Sequence, residues 1–175
     1  MHVRWLSAGG ALAVVAAPAA YATQYLSVAQ AQQAAFPQMQ FRELAAPDAA
    51  TVQALGAQAG WAPQIFEARS SEARRGWLIV DQVIGKSELI TYALALDAHG
   101  AVISVEVLDY RESHGSEVRL APWRKQFVGK TAADPLTLNK DIKNISGATM
   151  SCRHLTDGVQ RLLKLYDSVL KTRAE

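Results

Sequence analysis

Three consecutive apolar stretches between Gly76 and Arg111 constrain this chain more than any other feature. "GWLIVDQVIG" is apolar on nearly both faces, as a central strand is. "ELITYALALD" places Ile90, Tyr92, Leu94 and Leu96 on one face. "AVISVEVLDYR" places Ile103, Val105 and Val107 on one face, with Ser104 and Glu106 on the other. Gly85-Lys86-Ser87 separates the first pair. Asp97-Ala98-His99-Gly100 separates the second, with Asp97 and Gly100 at the first and fourth turn positions. Alternation joined by short turns predicts a three-stranded antiparallel meander.

A sheet with one apolar face needs a cover. From about Ser151 to Lys171, Leu155, Val159, Leu162, Leu163, Tyr166, Val169 and Leu170 recur at helical spacing. Lys164, Lys171 and Arg173 lie toward the end where a helix dipole favours cations. The predicted class is therefore α+β: an antiparallel meander sheet with helices packed on one face, one of them long and C-terminal. Shorter helices are expected elsewhere. Ser27 and Gln30 form a capping box for a helix over Val28 to Ala35, with Pro37 as its stop. Asp48 is a second cap and Gly60 an exit. Pro122 to Phe127 reads as one more short helix. Ala62 to Arg75 is less regular, and its charged patch "EARSSEARRG" reads as a solvated loop.

The first 22 residues differ from the rest. Arg4 is a positive start, Leu6 to Ala17 is small and apolar, and Ala20-Tyr21-Ala22 has the small-x-small form of a cleavage site. The apolar part is shorter than the ~20 residues a membrane span needs. A cleaved secretory signal over 1–22, a helical region over 23–75 and the main domain over 76–175 are the expected divisions. The 175 residues, half of them apolar, suit one domain with a real core, and two at most. The net charge is +2 with mixed signs, so no basic stripe points to nucleic acid. The lone cysteine, Cys152, excludes an internal disulfide. It reads as a small packed group; a reactive thiol or a ligand beside His154 is the sharper reading, but no zinc or haem spacing supports it.

At the mouth of the long helix stands a run of small residues, Ser146-Gly147-Ala148-Thr149. Free backbone N–H groups point outward there, and the dipole favours an anion. Gly147 and Ala148 let a bulky group come close, and Thr149 supplies a hydroxyl. The dipole is worth only ~0.3–1 kcal/mol at an exposed site, so it orients a phosphate without holding one alone. Plain capping by Ser146, Thr149 or Ser151 explains the same run.

"NISGATMS" leading into "DGVQRLLKLY" resembles the flavinylation site of the FMN-binding domain family. That family includes the periplasmic subunits of sodium-pumping NADH:quinone oxidoreductase and of the related electron-transport complex. The resemblance implies FMN joined by a phosphoester to Thr149, with Ser146, Gly147 and Ala148 as the rest of the attachment segment. The family form has Asp three residues before the Ser; here that position is Lys143, with Asp141 two residues earlier. "VLDYRESHGSEV" resembles the family's loop lining the flavin, which implies that Glu112, Ser113, His114 and Gly115 border the cofactor. The resemblance spans roughly Gly76 to Tyr166.

A threonine hydroxyl is a poor nucleophile and needs activation, yet no base obviously serves it. The resemblance therefore implies an external flavin transferase as a partner, a membrane-bound redox partner, and a periplasmic location, with membrane association open. On this reading the chain is a redox carrier rather than a stand-alone enzyme. A small flavin-dependent reductase and a cofactor-free periplasmic binding or scaffold domain are the alternatives. Several residues keep two readings. His114 either hydrogen-bonds the flavin or is a solvated loop residue. Glu112 either touches the flavin or pairs with Arg111, Arg119 or Arg124. Trp123 is a core residue or a stacking platform. Arg124, Lys125 and Lys130 either hold a phosphate or are solvated.

Overall fold

The computed structural model describes residues 23–71 and 73–173. The expected leader lies outside the described residues. The elements run β1 (Thr23–Gln24), α1 (Val28–Ala35), β2 (Gln40–Leu44), α2 (Ala49–Ala54), β3 (Gln64–Arg69), β4 (Arg74–Ile84), β5 (Leu89–Asp97), β6 (Val102–Tyr110), α3 (Ala121–Arg124) and α4 (Thr149–Leu165). The strands form one antiparallel sheet in the order β1-β6-β5-β4-β3-β2. The predicted meander is its centre. The stretch over 23–75, expected to be helical, holds α1 and α2 but also gives three strands to this same sheet. It is therefore part of the same layer, not a region apart.

Local chemistry sets the boundaries. The Ser27 hydroxyl accepts from the Gln30 N–H, and the Gln30 side chain accepts from the Ser27 N–H, which starts α1 as a capping box. The Asp48 carboxylate accepts from the Thr51 N–H and starts α2. Between β5 and β6, the Asp97 carboxylate accepts from the N–H groups of His99 and Ala101, closing the predicted turn.

Each face of the sheet has its own core. One holds Trp77, Ile79, Val83, Ile90, Tyr92, Leu94 and Leu96 under the buried side of α4, with Leu155, Val159, Leu162 and Leu163 fully buried. The other face is covered too: Leu78, Val80, Ala93 and Ala95 pack with Ala31 and Phe36 at α1. Cover on both faces explains why β4 is apolar nearly throughout. Helix α4 comes close to the sheet at Gly158, where a Cβ would lie 2.5 Å from the Tyr92 hydroxyl. A polar anchor sits beside that contact. Buried Asp81 accepts from Trp61 Nε1 (2.8 Å), from the Tyr92 hydroxyl (3.0 Å) and from the Arg161 guanidinium of α4 (2.9 Å). A buried charge is tolerable when it is paired in this way.

Strand β6 departs from simple alternation. Its pairing with β5 slips twice, between Ala95 and Leu96 and between Thr91 and Tyr92. The first bulge turns Ile103 away from Val105 and Val107, so Ile103 packs with the α1 face, contrary to the alternation expected of it. The second leaves Leu108 as the extra residue. Tyr110, paired with Ile90, then lies on the α4 face with Val107.

The charged patch is also not the solvated loop it resembled. Its first residues lie in β3, where Glu67 is fully buried and accepts from the guanidinium groups of Arg42, Arg69 and Arg74. Burial alone would raise its pKa. The hydrogen bonds from Arg74, Arg42 and Arg69 outweigh burial and hold the carboxyl below its ordinary range. A lowered folded-state pKa contributes stability above the unfolded-state pKa, and that contribution is lost as pH falls through the lower folded value. Glu67→Gln should cost about 3 kcal/mol, because the arginines would face one another without a countercharge. Urea unfolding at neutral pH measures this loss. The gap between variant and wild type should narrow in acid; a gap that stays constant below pH 4 would contradict the assignment.

Candidate functional site

The two segments singled out in the sequence meet at one end of the sheet. Gly115 has φ +84°, in the left-handed region, and a Cβ there would lie 2.9 Å from the Tyr110 hydroxyl and 3.1 Å from the Ala148 Cβ. Conformation and space both call for glycine. The loop after β6 is thus seated directly against the small-residue run before α4. Tyr110 joins the two: its hydroxyl donates to the His114 carbonyl (2.6 Å) and shares a hydrogen bond with Ser151 Oγ in the first turn of α4 (3.1 Å). Burial pushes the Tyr110 phenol above its ordinary pKa, so the hydroxyl keeps its proton.

The four small residues are small for different reasons. Gly147 has φ +85°, with open space where a Cβ would stand, so it makes the turn. Ala148 is buried beneath Gly115. Ser146 and Thr149 are exposed. Ala148 occupies the N-cap position, and no side chain caps the helix, so capping by Ser146, Thr149 or Ser151 does not account for the run. The Thr149 hydroxyl accepts from the Asn144 amide (3.0 Å). The other end of that amide, Asn144 Oδ1, is buried without a hydrogen-bond partner.

The approach to the run is fixed from outside. Trp123 Nε1 donates to the Lys143 carbonyl (2.8 Å), and the Lys143 N–H donates to the Gln126 side chain (2.8 Å). Trp123 is buried against Phe127, which makes it a core residue that also pins this connection. The Asp141 carboxylate accepts from the Thr137 N–H and serves the preceding turn. Cys152 is fully buried, and burial pushes its thiol pKa up.

The remaining candidates separate. Glu112 pairs with none of the arginines weighed for it. Its carboxylate accepts from three backbone N–H groups of the β4–β5 turn, those of Lys86, Ser87 and Glu88. His154 in α4 holds the same turn from the other side through Nδ1 and the Gly85 carbonyl (2.9 Å). Ser113 and His114 are exposed and bond one another through Oγ and Nδ1 (2.9 Å). Arg124 is engaged with Glu106 and the Arg119 carbonyl, and Lys130 with Asp134. Tyr110 and Asn144 were not singled out from the sequence, and Ser151 and His154 were weighed there only as a cap and as a ligand beside Cys152. Tyr110 lies inside the quoted stretch, two residues before Glu112, but only the bulge at Leu108 tells which face it takes.

Residues 85–164 match the model of the FMN-binding domain. The chain carries an FMN-binding domain. FMN is its cofactor, and the cofactor-free reading falls away. No curated protein matches the chain. The matched segment begins in the β4–β5 turn and takes in β5, β6, the Glu112–Gly115 loop and nearly all of α4, so it contains the whole of this corner. The residues present suit the group. An uncapped helix start offers N–H groups to a phosphate, an exposed hydroxyl stands beside them, and the unpartnered Asn144 oxygen awaits a donor.

Glu112 gives the corner its own pH response. Burial alone would raise its pKa; the N–H groups of Glu88, Ser87 and Lys86 hold it below the usual carboxylate range. The turn is therefore held above the ordinary carboxylate pKa and released as pH falls through the lowered one. Replacing a charge-assisted acceptor by a neutral one, as in Glu112→Gln, should speed amide exchange at Ser87 and Glu88 by roughly tenfold or more. Hydrogen exchange at neutral pH reads this directly, and unchanged rates would show that the carboxylate does not hold the turn.

Proposed function

We propose that the chain is an exported electron-transfer protein that carries FMN through a phosphoester to Thr149. The observation behind this reading is the placement of Thr149. Its hydroxyl is exposed at an uncapped helix start, on a bend kept slim by Gly147 and Ala148, beside the Glu112–Gly115 loop of an FMN-binding domain.

The hydroxyl does not activate itself. Its hydrogen-bond partner is the Asn144 amide, a donor rather than a base. A separate flavin transferase fits that arrangement. The Thr149 Oγ–P bond forms as the pyrophosphate of FAD breaks, AMP departs, and the hydroxyl proton passes to the transferase. The acceptor's part is to present an accessible oxygen, and an exposed bend does so.

Bound flavin supplies one- and two-electron chemistry, while the chain supplies position and electrostatics. Ser146 and Gly147 leave open space around the attachment bend, and Ser113 and His114 stand exposed on the neighbouring loop. An open corner suits exchange of electrons with a docked partner better than capture of a small substrate. The leader over 1–22 points to the periplasm, and a membrane-bound redox protein is the partner class we favour.

The test is chemical. Chain produced with a flavin transferase and exported should gain the mass of one FMN moiety, with the yellow chromophore remaining after denaturation. Thr149→Ala should abolish both, and Thr149→Ser should keep them. An adduct that persists in Thr149→Ala would put the attachment elsewhere.

A further inference from the structure

The sequence offered Arg124, Lys125 and Lys130 as partners for a phosphate, and the structure engages Arg124 and Lys130 elsewhere. A phosphoester at Thr149 brings a negative charge to the first turn of α4, where the helix dipole orients an anion without securing it. The residue placed to secure it is one turn further along. Arg153 follows Thr149 by four positions, so the two share a face of α4. Helical side chains lean back toward the N-terminus, and the surface that Arg153 covers therefore lies over the turn that contains Thr149. Both side chains are exposed. Among the described residues, Arg153 has no carboxylate or hydrogen-bond partner, although Asp157 stands one turn on. Its free guanidinium has the planar fork that matches two phosphate oxygens.

We propose that Arg153 clamps the phosphate of the flavin attached at Thr149 and so fixes where the ring lies. The inference rests on attachment at Thr149. Arg153 is a positioning residue: it touches the phosphate and acts on the ring through it. Lys143, exposed on the preceding connection, is the competing cation; its main chain is tied to Trp123 and Gln126, and it lies outside α4, so no helical spacing places it over Thr149.

The experiment uses exported, flavinylated protein whose adduct has been verified by intact mass. Fluorescence anisotropy of the attached flavin and the ³¹P resonance of the phosphodiester are compared in wild type, Arg153→Gln, Arg153→Lys and Lys143→Gln. Arg153→Gln should lower the anisotropy toward that of a freely turning ring and shift the ³¹P line. Arg153→Lys should restore part of both, since it keeps the charge and loses the fork. Lys143→Gln should change neither. Identical readings in wild type and Arg153→Gln would overturn the proposal, as would changes seen in Lys143→Gln instead. If Arg153→Gln acquires no flavin, phenylglyoxal modification of Arg153 decides the matter. Slower reaction in flavinylated wild type than in Thr149→Ala supports the clamp, and equal rates overturn it. A wild type without adduct sinks the attachment at Thr149 as well; an adduct with no Arg153 effect sinks the clamp alone.

Discussion

The extra residue at Leu108 decides what the end of β6 can do. Without it, strict alternation from Val105 and Val107 would bring Asp109 to the α4 face and send Tyr110 to the other. With it, Tyr110 pairs with Ile90 on the side where α4 lies, and its hydroxyl spans from the His114 carbonyl to Ser151. That one hydroxyl ties the loop after β6 to the first turn of α4. Gly115 then rests on Ala148, and the Ser146–Thr149 bend takes its position from the sheet rather than from its own short sequence. A bulge beside a functional corner is a known use of the device: it re-aims a side chain at the cost of one unpaired residue.

The carboxylates of the corner and of the core show a division of labour. Glu67 is matched by arginines, Asp81 by Arg161, Tyr92 and Trp61, and Glu112 by backbone N–H groups. Each is committed to holding elements together. Asp81 locks α4 onto β4, and Glu112 with His154 locks the β4–β5 turn against the start of α4. These anions are satisfied by groups of the scaffold. The first turn of α4, by contrast, has unbonded N–H groups and exposed cations nearby. The balance favours an added anion there.

The meander, the helix caps at Ser27 and Asp48 and the long helix were legible because each rests on local rules: period-two alternation, a cap with its partner three residues on, and apolar positions at helical spacing. The strands β2 and β3 were not. β3 carries Glu67 in a charged run; two of its partners, Arg69 and Arg74, lie in that same run, and the third, Arg42, stands on a strand well before it. A buried ion cluster reads like a solvated loop until tertiary pairing is known. The inversion of Ile103 and the true face of Tyr110 were hidden for a related reason, since a bulge leaves no mark in a run of alternating residues. At the corner itself, the two segments were legible by resemblance to a family. The part of Glu112 was not, because its partners are main-chain groups of a turn more than twenty residues away.

On the proposed attachment, the Thr149 hydroxyl faces two opposed demands. Before modification it must be reachable by a second protein, which favours exposure and a bend with little side-chain bulk. Afterwards the ring of the proposed carrier must be held, since a reacting group works best when its position and orientation are fixed. Gly147 in the left-handed region meets the first demand, with open space around it. The second cannot be met by the bend, which is too slight to grip anything. It falls to the groups that frame it: Asn144 with its unpartnered oxygen, the loop carrying Ser113 and His114, and the first turns of α4 with Arg153. Ala148 is what reconciles the two. Its small buried side chain lets the bend stay slim while anchoring it in the core, so Thr149 is exposed on an anchored bend.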